Sequence, residues 1–232
     1  MNATIKIDLN NKSYLRNPEQ TTLGQKIVAE SIRLIDQLGF EEFTYKKLAT
    51  EIGSTEASVY RYFENKHKLL VYLVSWYWVW LDYQITFRTN NIDDPAKRLR
   101  IIIGILAEAH LDNVQISYID EAALHRLVIA DAPKAYLTKG VDEDNKEHLF
   151  REYKTLCKKI AGILLELAPD YPYPHTLIST VIEATHQQTF FAQHLPALTD
   201  IKPTADATWK ITDFLEQLIF SAVAAYKKPV KN

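Results

Sequence analysis

Residues 43–70 read "FTYKKLATEIGSTEASVYRYFENKHKLL", and the way this stretch folds decides the reading of the rest. Its apolar positions form two short helical patterns on either side of Gly53. In the first, Leu48, Ala49 and Ile52 share a face, and Thr44 is placed to cap the N-terminus. In the second, Val59 and Phe63 lie four apart on the inward side, and Asn65 is placed to cap a longer helix beyond. The spacing predicts a short helix over about 44–52, a glycine turn and a second short helix over about 55–63. That unit is a helix-turn-helix. The outward positions of its second helix are Thr55, Glu56, Ser58, Arg61 and Tyr62, which suit contact with a polar partner. In a helix-turn-helix the first helix crosses a DNA backbone and the second enters the major groove.

Charge agrees locally. Between Thr44 and Lys68 stand five basic residues (Lys46, Lys47, Arg61, Lys66, Lys68) and three acidic ones (Glu51, Glu56, Glu64), whereas the 232-residue chain has a net charge of −2. The whole chain is therefore no generic polyanion binder, and a localised surface must carry any such contact. Apolar residues make up 47% of the sequence, enough for a sizeable core, so intrinsic disorder is excluded. Only 6 Gly and 9 Pro punctuate long periodic stretches, as expected of an all-α chain. A single cysteine, Cys157, precludes an internal disulfide and fits a reducing compartment. The start, "MNATIKIDLNNKSYLRNPEQ", lacks the apolar core of a signal peptide, and no run approaches the roughly 18 apolar residues of a membrane helix. A cytoplasmic location with no membrane partner is expected.

Working outward, residues 1–20 read as a mobile arm. Helical periodicity then covers about 22–38, closed by Gly39, and, beyond the helix-turn-helix, about 66–88, 95–111, 117–130, 142–167, 174–194 and 204–226. "PDYPYP" at 169–174 forms a rigid connector, because its three prolines forbid a helix interior. About nine helices and no strand result. The expected organisation is an arm (1–20), a three-helix DNA-binding domain (21–66) and a larger helical ligand-binding and dimerisation domain (67–232).

The stretch resembles the DNA-binding domain of the tetracycline-repressor (TetR) family. The resemblance rests on Thr44, Leu48-Ala49, Gly53, Tyr60-Arg61-Tyr62-Phe63, Lys66 and Leu69-Leu70, with the helix closed by Gly39-Phe40 before them. It covers about 23–73; beyond that only helix number and length match. It implies that Thr44, Tyr45 and Lys46 meet phosphates or a base edge. It implies that Thr55, Glu56, Ala57 and Ser58 face bases, and that Tyr60, Tyr62 and Lys66 contact phosphates. Arg61, then Lys46, are the candidates for a bidentate guanine contact. Each has a plainer reading. Thr44 can serve as a cap, Tyr60 can be partly core, and Lys47 and Lys68 read as solvated charges. Glu56 can accept from a cytosine amino group or favour the positive end of its helix.

Little else carries chemistry. The seven histidines show no helical i, i+4 pair and no metalloenzyme motif, so neither a metal nor a cofactor is expected. No phosphate loop or nucleophile elbow is present, and an enzyme is not expected. Trp76, Trp80, Tyr83 and Phe87 recur at spacings of four, three and four. Such a stripe is core by default, yet aromatics also suit a pocket for a flat or cationic molecule. In the TetR family the fourth helix leads to a ligand pocket, which makes Trp80, Tyr83 and Phe87 pocket candidates, with His110 and His186 as polar groups. Gly104 within a helix points to a close helix or ligand approach.

The eighth and ninth predicted helices, 174–194 and 204–226, carry apolar residues beyond one stripe and so bury two sides. A homodimer through these two helices meets that need, and implies a palindromic double-stranded operator. The sequence reading is a regulator, a repressor, released by a small aromatic or hydrophobic effector. The alternatives are a regulator of the same fold governed by a protein partner or by no ligand, and a helical ligand carrier or enzyme.

Overall fold

The computed structural model describes residues 9–108 and 118–226. These form α-helices and short 3-10 turns, with no strand among the described residues. The helices are α1 Thr22–Leu38, α2 Tyr45–Glu51, α3 Glu56–Tyr60, α4 Lys66–Thr89, α5 Pro95–Glu108 and α6 Glu121–Asp131. They continue with α7 Pro133–Tyr136, α8 Val141–Lys146, α9 Arg151–Leu167, α10 Pro174–His194 and α11 Ala207–Ala225. Among the described residues no helix is long and apolar enough to cross a membrane.

The chain divides into two compact units, residues 1–80 with 110–153 and residues 81–109 with 154–232. In the first unit, Ile27, Val28, Ile32 and Ile35 of α1 are buried, as are Phe43, Leu48, Val59 and Phe63. Gly39 ends α1 at φ 79°, and its N–H closes on the Ile35 carbonyl at 2.8 Å. α6 lies against α1. Arg126 grips Asp36 with two hydrogen bonds of 3.0 and 2.8 Å, and Asp131 accepts from the Phe40 N–H at 3.3 Å. α8 is tied to the start of α4. Asp144 takes His67 Nε2 at 2.8 Å and Lys68 Nζ at 3.2 Å, and Glu147 takes Lys68 Nζ at 2.7 Å. Burial alone lowers the Lys68 pKa, but the hydrogen bonds it donates to Glu147 and Asp144, with their negative charges, outweigh burial and raise it.

The structure differs from the sequence reading in three places. Residues 9–20, read as part of a mobile arm, are packed and contain two 3-10 turns, Asn11–Ser13 and Pro18–Gln20. The helix predicted over 142–167 is broken between α8 and α9. Glu147 is the C-cap, and His148 adopts φ 60°. The Leu149 N–H bonds to Asp144 O at 3.1 Å and the His148 N–H to Asn145 O at 3.1 Å. That is a Schellman stop, with buried Leu149 as its apolar anchor. Its left-handed position usually carries glycine, so histidine there hid the stop. Finally, a side chain added at Gly104 would meet nothing within 4 Å, so this glycine marks no close helix contact.

In the second unit, α11 packs on α5 and α10. Only Ile211, Leu215 and Ile219 of α11 are buried, a single stripe with four-residue spacing. Trp209 (66% exposed) and Phe214 (43%) stand outside it.

Candidate nucleic-acid interface

The outward face of α2 and α3 is built from two capped helices and a glycine turn. Thr44 accepts the Lys47 N–H through its side chain at 3.2 Å and so starts α2. Buried Leu48, Ala49 and Ile52 then seat α2 on the core. Gly53 turns the chain at φ 64°, where a side chain would strain the backbone although the space is open. Thr55 repeats the cap on α3, with Oγ1 accepting the Ser58 N–H at 3.2 Å. Val59 and Phe63 are fully buried and hold α3 down.

These anchors sort the predicted residues. Thr44, Lys46, Thr55, Glu56, Ala57, Tyr60 and Arg61 are exposed together around the turn and α3. Arg61 is pre-positioned: its Nη2 donates to Ser58 Oγ at 2.9 Å, and Ser58 Oγ is itself 3.0 Å from Thr55 Oγ1. Tyr60 is 49% exposed while its ring packs edge-on against Tyr45 at 4.9 Å.

Four predicted positions face elsewhere. Ser58 is buried and orients Arg61 from beneath. Tyr45 is buried under Tyr60, and its hydroxyl is directed to the Phe63 carbonyl at 3.5 Å; burial pushes its phenol pKa up. Tyr62 is 2% exposed, and its hydroxyl lies 2.8 Å from Thr21 Oγ1, the cap of α1. Tyr62 stands in the turn after α3, which ends at Tyr60, and its N–H closes that turn on the Val59 carbonyl at 2.9 Å, so it does not continue the outward face of the helix. Lys66 donates to the Phe40 and Glu41 carbonyls, both at 3.2 Å, with its ammonium 4.8 Å from the centre of the Phe40 ring. It ties α4 to the end of α1 rather than standing free for phosphate.

The predicted ligand residues separate. Trp80 belongs to the first unit, and Tyr83, Phe87 and His186 to the second. Trp80 is buried, and its indole N–H has no hydrogen-bond partner among the described residues. Tyr83 and Phe87 stack on each other at 6.3 Å and are exposed, Phe87 to 71%. His186 is buried, and desolvation lowers its pKa to about 4, leaving the imidazole neutral at pH 7. His110 lies outside the described residues. The second unit also has an open cleft of about 860 Å³ lined by Asn90, Asn91, Arg98, Lys158, Lys159 and Glu166 among others. None of Tyr83, Phe87 or His186 lines it.

What sequence reasoning missed is the segment before α1. The Leu15 N–H bonds to the Tyr62 carbonyl at 2.8 Å, and the Arg16 guanidinium lies 5.4 Å over the Tyr62 ring. Glu19 accepts from Tyr72 at 2.7 Å and from Tyr118, and burial and that carboxylate raise both phenol pKa values. The available signal was Gly24. Its helical position leaves no room for a side chain, because Pro18 lies across it.

Residues 27–73 match the family described as bacterial regulatory proteins, tetR family. No curated protein matches the sequence. Solved structures share the fold. The fatty acid degradation regulator FadR from Bacillus halodurans is 14% identical, with 84% of this chain and 93% of that one covered at a TM-score of 0.61. A TetR-family transcriptional regulator from Agrobacterium tumefaciens is 20% identical, with 87% and 98% covered at 0.57. AibR, solved with isovaleryl coenzyme A and operator DNA, is 14% identical, with 84% and 98% covered at 0.58. The protein thus carries, over residues 27–73, the helix-turn-helix segment of the tetR family of bacterial regulatory proteins, on a chain with the fold of TetR-type transcriptional regulators.

Proposed function

We propose that this protein is a cytoplasmic transcriptional repressor that binds a palindromic operator as a homodimer and leaves it when a small aromatic or hydrophobic effector binds. The observation that carries the reading is the asymmetry of α3. Val59 and Phe63 are fully buried, while Thr55, Glu56, Ala57, Tyr60 and Arg61 are exposed. Thr55, Glu56, Ala57 and Arg61 face bases, and Thr44, Lys46 and Tyr60 take phosphates. Glu56 meets a cytosine amino group or favours the helix start. Residues 21–66 serve DNA, and 67–232 serve effector and dimer.

Exposed Trp209 and Phe214 on α11, with Leu195 (45%) and Leu198 (60%) after α10, support a second copy as the cover for that surface. Trp80, buried with an unpartnered indole N–H, is the leading effector contact. The ligand in the AibR structure and the role of FadR support an effector-responsive reading. Release requires that the effector favour the state of lower DNA affinity. Sedimentation of the full chain, alone and with duplex DNA recovered from a random library, tests the reading. It predicts a dimer that binds one duplex and a monomer for Trp209→Glu. A wild-type monomer that binds no duplex contradicts it.

A further inference from the structure

We propose that the packed segment before α1 is a second DNA contact, in which Lys12 and Arg16 hold phosphates flanking the bases read by α3. The proposal rests on the DNA-binding reading above and adds residues outside the helix-turn-helix.

Position is the first argument. The Leu15 N–H bonds to the Tyr62 carbonyl at 2.8 Å, and Arg16 covers the Tyr62 ring at 5.4 Å. Tyr62 directly follows Arg61, so the segment passes the C-terminal end of the recognition helix. It is also held in place. Asn10 Nδ2 donates to the Glu147 carbonyl at 2.8 Å, Ser13 and Pro18 are buried, and Glu19 is fixed by Tyr72 and Tyr118. Cations carried on a backbone fixed in advance lose less freedom on meeting phosphates than cations on an unfixed arm.

Charge is the second argument. Most cations nearby are already engaged. Lys26 donates to the Ile52 carbonyl, Arg33 pairs with Glu30 and Glu51, and Lys47 pairs with Glu42. Lys66 is on two carbonyls, and Lys68 is on Asp144 and Glu147. Lys12 and Arg16 are exposed, and among the described residues neither forms an ion pair. Stabilising the C-terminal end of α3 explains Arg16 but not Lys12. A phosphate contact along this segment, which meets Tyr62 through Leu15 and Arg16, gives both cations a role.

The test measures affinity of the full chain for a duplex recovered by random-library selection, as a function of salt. Arg16→Gln, Lys12→Gln and the double variant are compared with wild type, on the full duplex and on versions with trimmed flanks. With one Arg16 in each subunit of a dimer, Arg16→Gln lowers the slope of log affinity against log salt by about two. Between about 50 and 200 mM salt it therefore loses roughly tenfold less affinity than wild type. Base preference stays the same, Arg16→Lys restores the slope, and flank trimming weakens wild type but not the double variant. If the double variant keeps the wild-type slope and trimming response, the proposal is wrong. If Arg16→Gln weakens binding with the slope unchanged, Arg16 only supports Tyr62, and Lys12→Gln decides whether any flanking contact exists. If wild type recovers no duplex, the DNA-binding reading itself fails, and this one with it.

Discussion

Replacing Gly24 by alanine sets two physical effects against each other. Alanine favours a helix over glycine by about 1 kcal/mol, so propensity alone predicts stabilisation. The structure predicts the opposite. An added Cβ at Gly24 would lie 2.3 Å from the Pro18 carbonyl oxygen, 2.5 Å from its Cα and 2.8 Å from its carbonyl carbon. All three are backbone atoms, and ordinary contact requires a shift of about 1 Å. Pro18 cannot yield freely, because Gln25 Nε2 holds the Glu19 carbonyl at 3.0 Å and the Glu19 carboxylate holds two tyrosines. Overpacking of this kind costs about 1–3 kcal/mol, and each hydrogen bond released, such as that of Leu15 to Tyr62, costs about 0.5–1.5 kcal/mol. After the gain in propensity, a net loss of about 2 kcal/mol remains, which lowers Tm by about 4–8 °C in a chain of this size. Gly162 is the internal control. It lies exposed within α9, and an added Cβ meets nothing within 4 Å, so Gly162→Ala gains up to about 1 kcal/mol. Thermal unfolding followed by circular dichroism measures both. A Gly24→Ala protein at or above the wild-type Tm would refute the packing of the segment before α1.

Other consequences are as direct. Arg61→Ala relaxes preference at one base-pair position of each half-site at a cost of about 1–3 kcal/mol, read by repeated selection; an unchanged profile removes Arg61 from base reading. Lys66→Met lowers stability by about 1–2 kcal/mol, because two charged hydrogen bonds and a ring contact are lost, and leaves the salt slope of DNA binding unaltered. The reverse pattern, unchanged Tm and a smaller slope, would return Lys66 to the phosphate contacts. His186 is native in its neutral form, with its pKa lowered from 6.5 to about 4 by burial. The unfolded chain takes up this proton first, so the stability is present above pH 6.5 and is lost as pH falls towards 4, by up to about 3 kcal/mol. His186→Gln flattens that part of the stability profile in chemical denaturation; a profile of unchanged steepness would mean that His186 does not titrate there.

How much was legible in the sequence follows from the range of the forces involved. The cap Thr44, the turn at Gly53 and the stop at Gly39 act within a few residues, and each lies where the local pattern put it. The break at His148 was hidden because a tertiary anchor, Leu149, holds a histidine in a conformation usually left to glycine. The site was legible by residue type but not by direction. The pattern marked Tyr45, Tyr62 and Lys66 as polar groups near a surface. Long-range partners, the Phe63 carbonyl, Thr21 and the Phe40 and Glu41 carbonyls, turn them inward. The segment before α1 escaped notice for the same reason: its order comes from Glu147, Tyr62, Tyr72 and Tyr118, far away in sequence.

The central claim is that the exposed face of α3 reads DNA from a twofold dimer. Selection of the full chain against a random-sequence duplex library tests it most directly. The account predicts an enriched inverted repeat whose half-site centres lie about one helical turn, or a multiple of it, apart. Failure to enrich any sequence, or enrichment of a single unrepeated site, would contradict it.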